Sequence, residues 1–322
     1  MSQRTDRPPV DPALQEVLTA LAEQLPPSMT EEMIPMMRAG SPADVMPETI
    51  AAHNLVQRDT TIDGYEGGPI VVTTIARSDH AGRGPGFLHV HAGGMVAGTR
   101  TTGLAPILPW IVEHDAVMVT VEYRLAPEFP DPYPVEDSYA ALVWMAEHAT
   151  DLGIDPDRIM IIGASAGAGI AAGTALLARD RRGPNLTGQL LIGPMIDDRD
   201  RTISTEQYDG MPPWDRKSNR MGWKALLGDR SGTDNVSIYA APARATNLTG
   251  LPPTYIDCGS AEVFRDEDVS YASALWAAGV QTELHVWAGG IHGFDFVAPD
   301  AAVSRAARAA RTAWVARHLG DK

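Results

Sequence analysis

With 322 residues, 44% hydrophobic and 21% charged, the chain is long enough to bury a sizeable core and has the composition of a soluble globular protein. It has no apolar run near the roughly 18 residues of a membrane span, so no membrane anchor is expected. Its 41 acidic and 26 basic residues give a formal net charge of −15, with the basic residues scattered. Such a field repels phosphate backbones and anionic lipid, which argues against nucleic acid and for a neutral or weakly charged small molecule.

The N-terminal MSQRTDRPPVDPALQ lacks the apolar core of a secretory signal, so a cytoplasmic location is the default expectation. A single cysteine, Cys258, agrees with a reducing compartment. The Asn-x-Ser/Thr sequences at Asn185, Asn235 and Asn247 then read as accidental.

In chain order, residues 1–50 contain two helical patterns, LQEVLTALAEQL and EEMIPMMRAG, separated by Pro26 and Pro27. Met29, Met33, Met36 and Met37 read first as gap-filling core, and as an adaptable apolar wall if this segment covers a site. Strand-like runs follow at GPIVVTTIA, GFLHVH, AVMVTVEY, RIMIIG, GQLLIG, PTYIDC and TELHVW. Helical patterns fall at PVEDSYAALVWMAEHA, AGAGIAAGTALLARD, DEDVSYASALWAAG and the closing AAVSRAARAARTAWVARHL. This alternation predicts an α/β fold with parallel strands joined by crossover helices. Residues 197–251 interrupt the rhythm, and an insertion of that length is usually functional. The expected organisation is a cap segment over 1–50, core over 51–196, a cap insertion over 197–251 and core over 252–322, the cap lying above the sheet edge where open α/β folds bind ligands.

GASAG at 163–167 puts Ser165 between a strand-like run and a helix start. That is the context of a nucleophile elbow, in which small neighbours let strand and helix approach; the bland alternative is a tight packing joint. A serine hydroxyl needs a base, and the base an orienting group. His292 lies in the glycine-flanked AGGIHGF, and GSAEVFRDED offers Glu262, Asp266, Glu267 and Asp268. Glu262 precedes the helix, whereas Asp266 to Asp268 look like acidic first-turn residues that favour the helix dipole. HAGG at 91–94 closes a strand-like run, and the N–H groups of Gly93, Gly94 and Ala166 suit a developing oxyanion.

The combination resembles the hormone-sensitive-lipase-like branch of the α/β-hydrolases, the bacterial family IV carboxylesterases. The matching strings are HAGG, YRLAPE followed by FPDPYPVED, DPDRIMIIGASAG, FRDED and IHGF, in the family's order over about residues 80–320. The resemblance implies an α/β-hydrolase core with a mostly parallel sheet, a helical cap, and a serine carboxylesterase acting on short-to-medium acyl esters without cofactor or metal. It implies Ser165 as nucleophile, His292 as base, Glu262 as the acid in place of the family's usual Asp, and Gly93, Gly94 and Ala166 as oxyanion donors. Ala92 replaces the first glycine of the family's HGGG, and YRLAPE takes no catalytic role. Tyr208, Trp214 and Phe294 are candidates for touching substrate, as is Trp223, although an aromatic in a cap can equally pack it down.

Three other readings compete. The same machinery would hydrolyse lactones, carbamates or amides; His89 and His91 could share a strand face toward a metal, although no further His/Asp cluster has matching spacing; and a relative without catalysis could merely bind. Retention of Ser165, His292 and the glycine pair favours the enzyme. An edge strand such as TELHVW could pair across a two-fold axis in a homodimer.

Overall fold

The computed structural model describes residues 6–319, so the first five residues of the N-terminal segment and the last three of the second core segment lie outside the described residues. Eight strands form one sheet in the order β1-β2-β4-β3-β5-β6-β7-β8: β1 (Leu55–Asp63), β2 (Pro69–Arg77), β3 (Gly84–Val90), β4 (Val117–Glu122), β5 (Ile154–Ala164), β6 (Gly188–Ile192), β7 (Thr254–Gly259) and β8 (Thr282–Trp287). From β4 to β8 every neighbouring pair is parallel, and only β2 runs against the rest.

The buried strands are apolar on both faces because helices cover both sides. In β5, Ile159 and Ile161 face one core, while Met160 and Ile162 face the other. Helices Tyr133–Glu147, Ala166–Arg181 and Arg265–Ala277 contribute Leu142, Leu176 and Leu275 to the first core. Helices Leu108–His114 and Ala302–Leu319 contribute Trp110 and Trp314 to the second.

Two features escape the sequence pattern. The edge strand β1, LVQRDTTID, buries only Leu55 and Ile62, so it has no apolar alternation to read. The sequence also gives no sign of β2's reversed direction, because direction is set by how the strand pairs with β1 and β4 rather than by its own residues.

Among the insertion residues, helix Ile203–Gln207 starts at Thr202, whose side chain accepts from Thr205 N–H, and helix Arg216–Leu227 starts at Asp215, which caps Ser218 N–H. Residues of the N-terminal segment bond directly to this insertion. Ser28 Oγ donates to Asp215 Oδ2 at 2.7 Å, Met29 N–H to Ser218 Oγ at 2.7 Å, and Gln207 Nε2 to the Asp6 carbonyl at 2.5 Å. EEMIPMMRAG forms only a 3-10 turn, Glu31–Met33, and one helical turn, Ile34–Met37. Of its methionines Met37 packs on the core, while Met36 is exposed. Among the described residues no helix is long and apolar enough to cross a membrane.

Candidate active site

Ser165 stands between β5 and helix Ala166–Arg181 at φ 54°, ψ −123°, a strained conformation for a residue with a Cβ. Its neighbours explain how the turn closes. A Cβ on Gly163 would collide with the Gly167 carbonyl, and a Cβ on Gly167 with the carbonyls of Val90 and His91 at the end of β3. The turn is held by Ser165 N–H donating to Ile192 O at 2.7 Å, while the Ser165 carbonyl accepts from Ala168, Gly169 and Met195 N–H at 3.1 Å each.

The loops after β7 and β8 bring Glu262 and His292 to this serine. His292 Nε2 lies 2.9 Å from Ser165 Oγ, and His292 Nδ1 lies 2.6 Å from Glu262 Oε2. The second oxygen of Glu262 accepts Gly259 N–H at 2.5 Å. The Phe264 ring meets the imidazole edge-on at 5.0 Å between centroids. Gly193, at φ 50°, comes close beneath both: a Cβ there would sit 3.4 Å from His292 Cε1 and 3.5 Å from Glu262 Oε2. Asp266 is engaged elsewhere, accepting from Ser204 N–H at 2.8 Å and Arg265 Nε at 2.7 Å. Glu267 is buried and accepts from Ile196 and Asp197 N–H, and burial holds its carboxyl well above the usual range.

Gly93 and Gly94 follow β3 at φ 134° and 62°, both positive and favourable to glycine. Among the described residues, no hydrogen bond engages the N–H of Gly93, Gly94 or Ala166. Several side chains fix this loop. Tyr123 stacks on His91 at 4.0 Å and donates its hydroxyl to the His91 carbonyl at 2.9 Å. Arg38 donates to the carbonyls of Val96 and Ala126 and forms a two-point ion pair with Glu128. Arg38 is a support that sequence reasoning missed. An arginine in a polar-looking segment has no local signal for contacts 58 to 90 residues away.

The aromatic candidates separate. Tyr208 and Phe294 are buried, the first with its hydroxyl 3.3 Å from the Ser260 carbonyl and the second against Gly290. Trp223 is buried as well. Trp214 is partly exposed, and its ring lies where a Cβ on Gly94 would fall. His89 and His91 are both buried and bonded away from one another, His89 Nδ1 to the Thr120 hydroxyl and His91 Nδ1 to the Ala92 carbonyl. Burial, with His91 nearby, pushes His89 down to about 3, so it is neutral at pH 7. Among the described residues, no three His, Cys, Asp or Glu side chains are grouped to hold a metal.

Comparison with known proteins fits this layout. The family described as the α/β hydrolase fold matches residues 87–296. The chain is 35% identical over 293 residues to the esterase LipI of Mycobacterium tuberculosis, covering 90% of this chain and 89% of the relative. It is 34% identical over 310 residues to the carboxylesterase NlhH of the same organism, covering 92% and 93%. Among solved structures, a bacterial heroin esterase superposes with a TM-score of 0.86 at 37% identity, covering 96% of this chain and 99% of that one. Esterase LipW from Mycobacterium marinum gives 0.83 at 31% identity, with 98% and 99% covered. A strand-to-helix serine at the carboxyl end of the interior strand β5, with full-length relatives of this kind, leads to one conclusion: the chain belongs to the α/β-hydrolase family and is a carboxylic ester hydrolase.

Proposed function

We propose that the protein is a serine carboxylesterase of the hormone-sensitive-lipase-like branch, acting on small, short-to-medium acyl esters through a Ser165–His292–Glu262 triad. The observation that carries this reading is the continuous chain Ser165 Oγ to His292 Nε2 at 2.9 Å and His292 Nδ1 to Glu262 Oε2 at 2.6 Å. His292 takes the Ser165 proton as Oγ attacks the ester carbonyl, and Glu262 holds the imidazole tautomer and stabilises the imidazolium. The N–H groups of Gly93, Gly94 and Ala166 receive the oxyanion. His292 then protonates the leaving alkoxide, and water, deprotonated by His292, cleaves the acyl-enzyme to the acid and free Ser165. No metal or organic cofactor takes part.

The N-terminal segment and residues 197–251 are read as one cap, a reading supported by the Ser28–Asp215 and Met29–Ser218 bonds between them. Trp214, against Gly94, is the aromatic whose position best suits substrate contact. The single buried thiol, Cys258, supports a reducing, cytoplasmic setting. The edge position of β8 supports a homodimer in which two β8 strands pair.

An organophosphonate probe should label the protein with one equivalent, and Ser165→Ala should abolish both labelling and p-nitrophenyl butyrate hydrolysis. Hydrolysis at the parent rate by folded Ser165→Ala protein would overturn the mechanism.

A further inference from the structure

Four of the eleven buried side-chain polar atoms that lack a hydrogen-bond partner among the described residues fall within residues 214–223: Trp214 Nε1, both amide atoms of Asn219, and Trp223 Nε1. Buried polar groups are nearly always paired, so this concentration calls for a reason. Asn219 is only 1% exposed. Its polar neighbours are already committed, Asp215 accepting from Ser28, Gly210 N–H and Ser218, and Ser218 Oγ accepting from Met29 N–H.

The helix geometry places the face that carries Asn219 beside the proposed oxyanion loop. Asn219 shares a face with Gly222 and Trp223, three and four residues on. Gly222 brings that face against the loop, since a Cβ there would sit 2.9 Å from Gly94 O and 3.6 Å from Trp214 Cζ2. Helical side chains lean toward the N-terminus, so the Asn219 side chain projects from one turn before Gly222 toward the helix start that Trp214 precedes, and the Trp214 ring covers Gly94. A carboxamide brings two donor hydrogens and one acceptor, and indole brings a donor only. Donors therefore prevail, and their complement is an oxygen acceptor.

We propose that Asn219 is a specificity-determining residue whose amide binds a second oxygen of the substrate, other than the carbonyl under attack. The favoured substrates are then oxygenated esters carrying an alkoxy, keto or hydroxyl group near the scissile bond, in preference to plain alkyl esters of the same shape. This rests on the proposed hydrolysis at Ser165.

Matched pairs in which an ether oxygen replaces one methylene test the idea: p-nitrophenyl methoxyacetate against p-nitrophenyl butyrate for the acyl side, and 2-methoxyethyl acetate against butyl acetate for the alcohol side. Comparing the ether-to-alkyl ratio of kcat/KM between parent and variant cancels the difference in intrinsic reactivity between the two esters. In Asn219→Leu, nearly isosteric and unable to hydrogen-bond, the ratio should fall about three- to tenfold in at least one pair, the range of one net hydrogen bond. The change should appear mainly in KM. Asn219→Ala serves as the second variant should leucine disturb the fold. Ratios within twofold of the parent in both pairs would overturn the proposal, as would equal losses on ether and alkyl esters, which mark a structural amide. A parent that hydrolyses these esters as fast as Ser165→Ala would instead overturn the underlying reading of Ser165.

Discussion

Glu262 meets His292 through one carboxylate oxygen and is tethered through the other: Oε2 lies 2.6 Å from His292 Nδ1, while Oε1 accepts Gly259 N–H at 2.5 Å. The carboxylate is thus fixed from both sides and almost fully buried. Glu262→Gln is expected to lower kcat by about 10²- to 10⁴-fold, the range of a disabled general base and its orienting acid. Asp266→Asn, whose carboxylate serves Ser204 and Arg265, should leave turnover within a few-fold of the parent. Steady-state rates on p-nitrophenyl butyrate decide, and a large loss confined to the second variant would reassign the acid.

The elbow glycines predict a packing defect. In Gly167→Ala the new methyl would strike the carbonyls of Val90 and His91, which are backbone atoms and cannot rotate away. A loss of about 1–3 kcal/mol is expected, as for other overpacked sites, accompanied by a drop in kcat because Ser165 and Gly93 are displaced from opposite sides. Urea denaturation and turnover measured on the same preparation check both parts; unchanged values would show that β3 and the helix can separate at little cost.

Arg311 ties the closing helix to the sheet and to the loop bearing His292. Its Nε and Nη2 donate to Asp257 of β7, and its Nη1 donates to Asp295, three residues after His292. Burial works against the arginine's charge, and Asp257 and Asp295 overcome it. Arg311→Met would leave two carboxylates unpaired, with Asp257 fully buried, so a loss of about 3–5 kcal/mol is expected by chemical denaturation. A loss below about 1 kcal/mol would mean that the Trp287 Nε1 and Tyr255 hydroxyl donors to Asp257 suffice.

Asp268 gives a pH-dependent prediction. It is fully buried, and burial, then the charges of Glu267 and Glu262, holds its carboxyl well above the usual range, with the Cys258 thiol opposing. Unfolded, it should titrate near about 3.9. Above that pH the unfolded chain has lost this proton while the native chain keeps it, so the group's contribution to stability falls as pH rises toward the folded value. Asp268→Asn removes this slope. The variant's stability relative to the parent should therefore grow between pH 5 and pH 8, measured by denaturant midpoints. A difference that stays constant over that range would contradict a neutral Asp268.

Much of the fold was legible because burial on both faces of a parallel sheet demands continuous apolar strands such as RIMIIG and GQLLIG. Lone or polar elements were not. β1 is half solvated and shows no clean alternation, while the helix Arg216–Leu227 buries a face at helical spacing whose first half is Ser218, Asn219 and Gly222, so apolar residues alone do not trace it. The serine, histidine and glutamate were readable from small residues, loop position and chain order. Arg38 was not, since its contacts lie far along the chain, and Asn219 was not, since only the folded structure shows its amide buried without a partner.

The sequence by itself determined the strand-to-helix serine, because glycine at 163 and 167 lets strand and helix approach closely, and it narrowed the acid to a few neighbouring carboxylates. Tertiary structure decided which of these meets His292, because β7 and β8 set the two loops at a fixed separation and only Glu262 spans it. It also turned the Asn219 face toward Gly94, a choice made by the close approach that Gly222 allows and that no local pattern encodes.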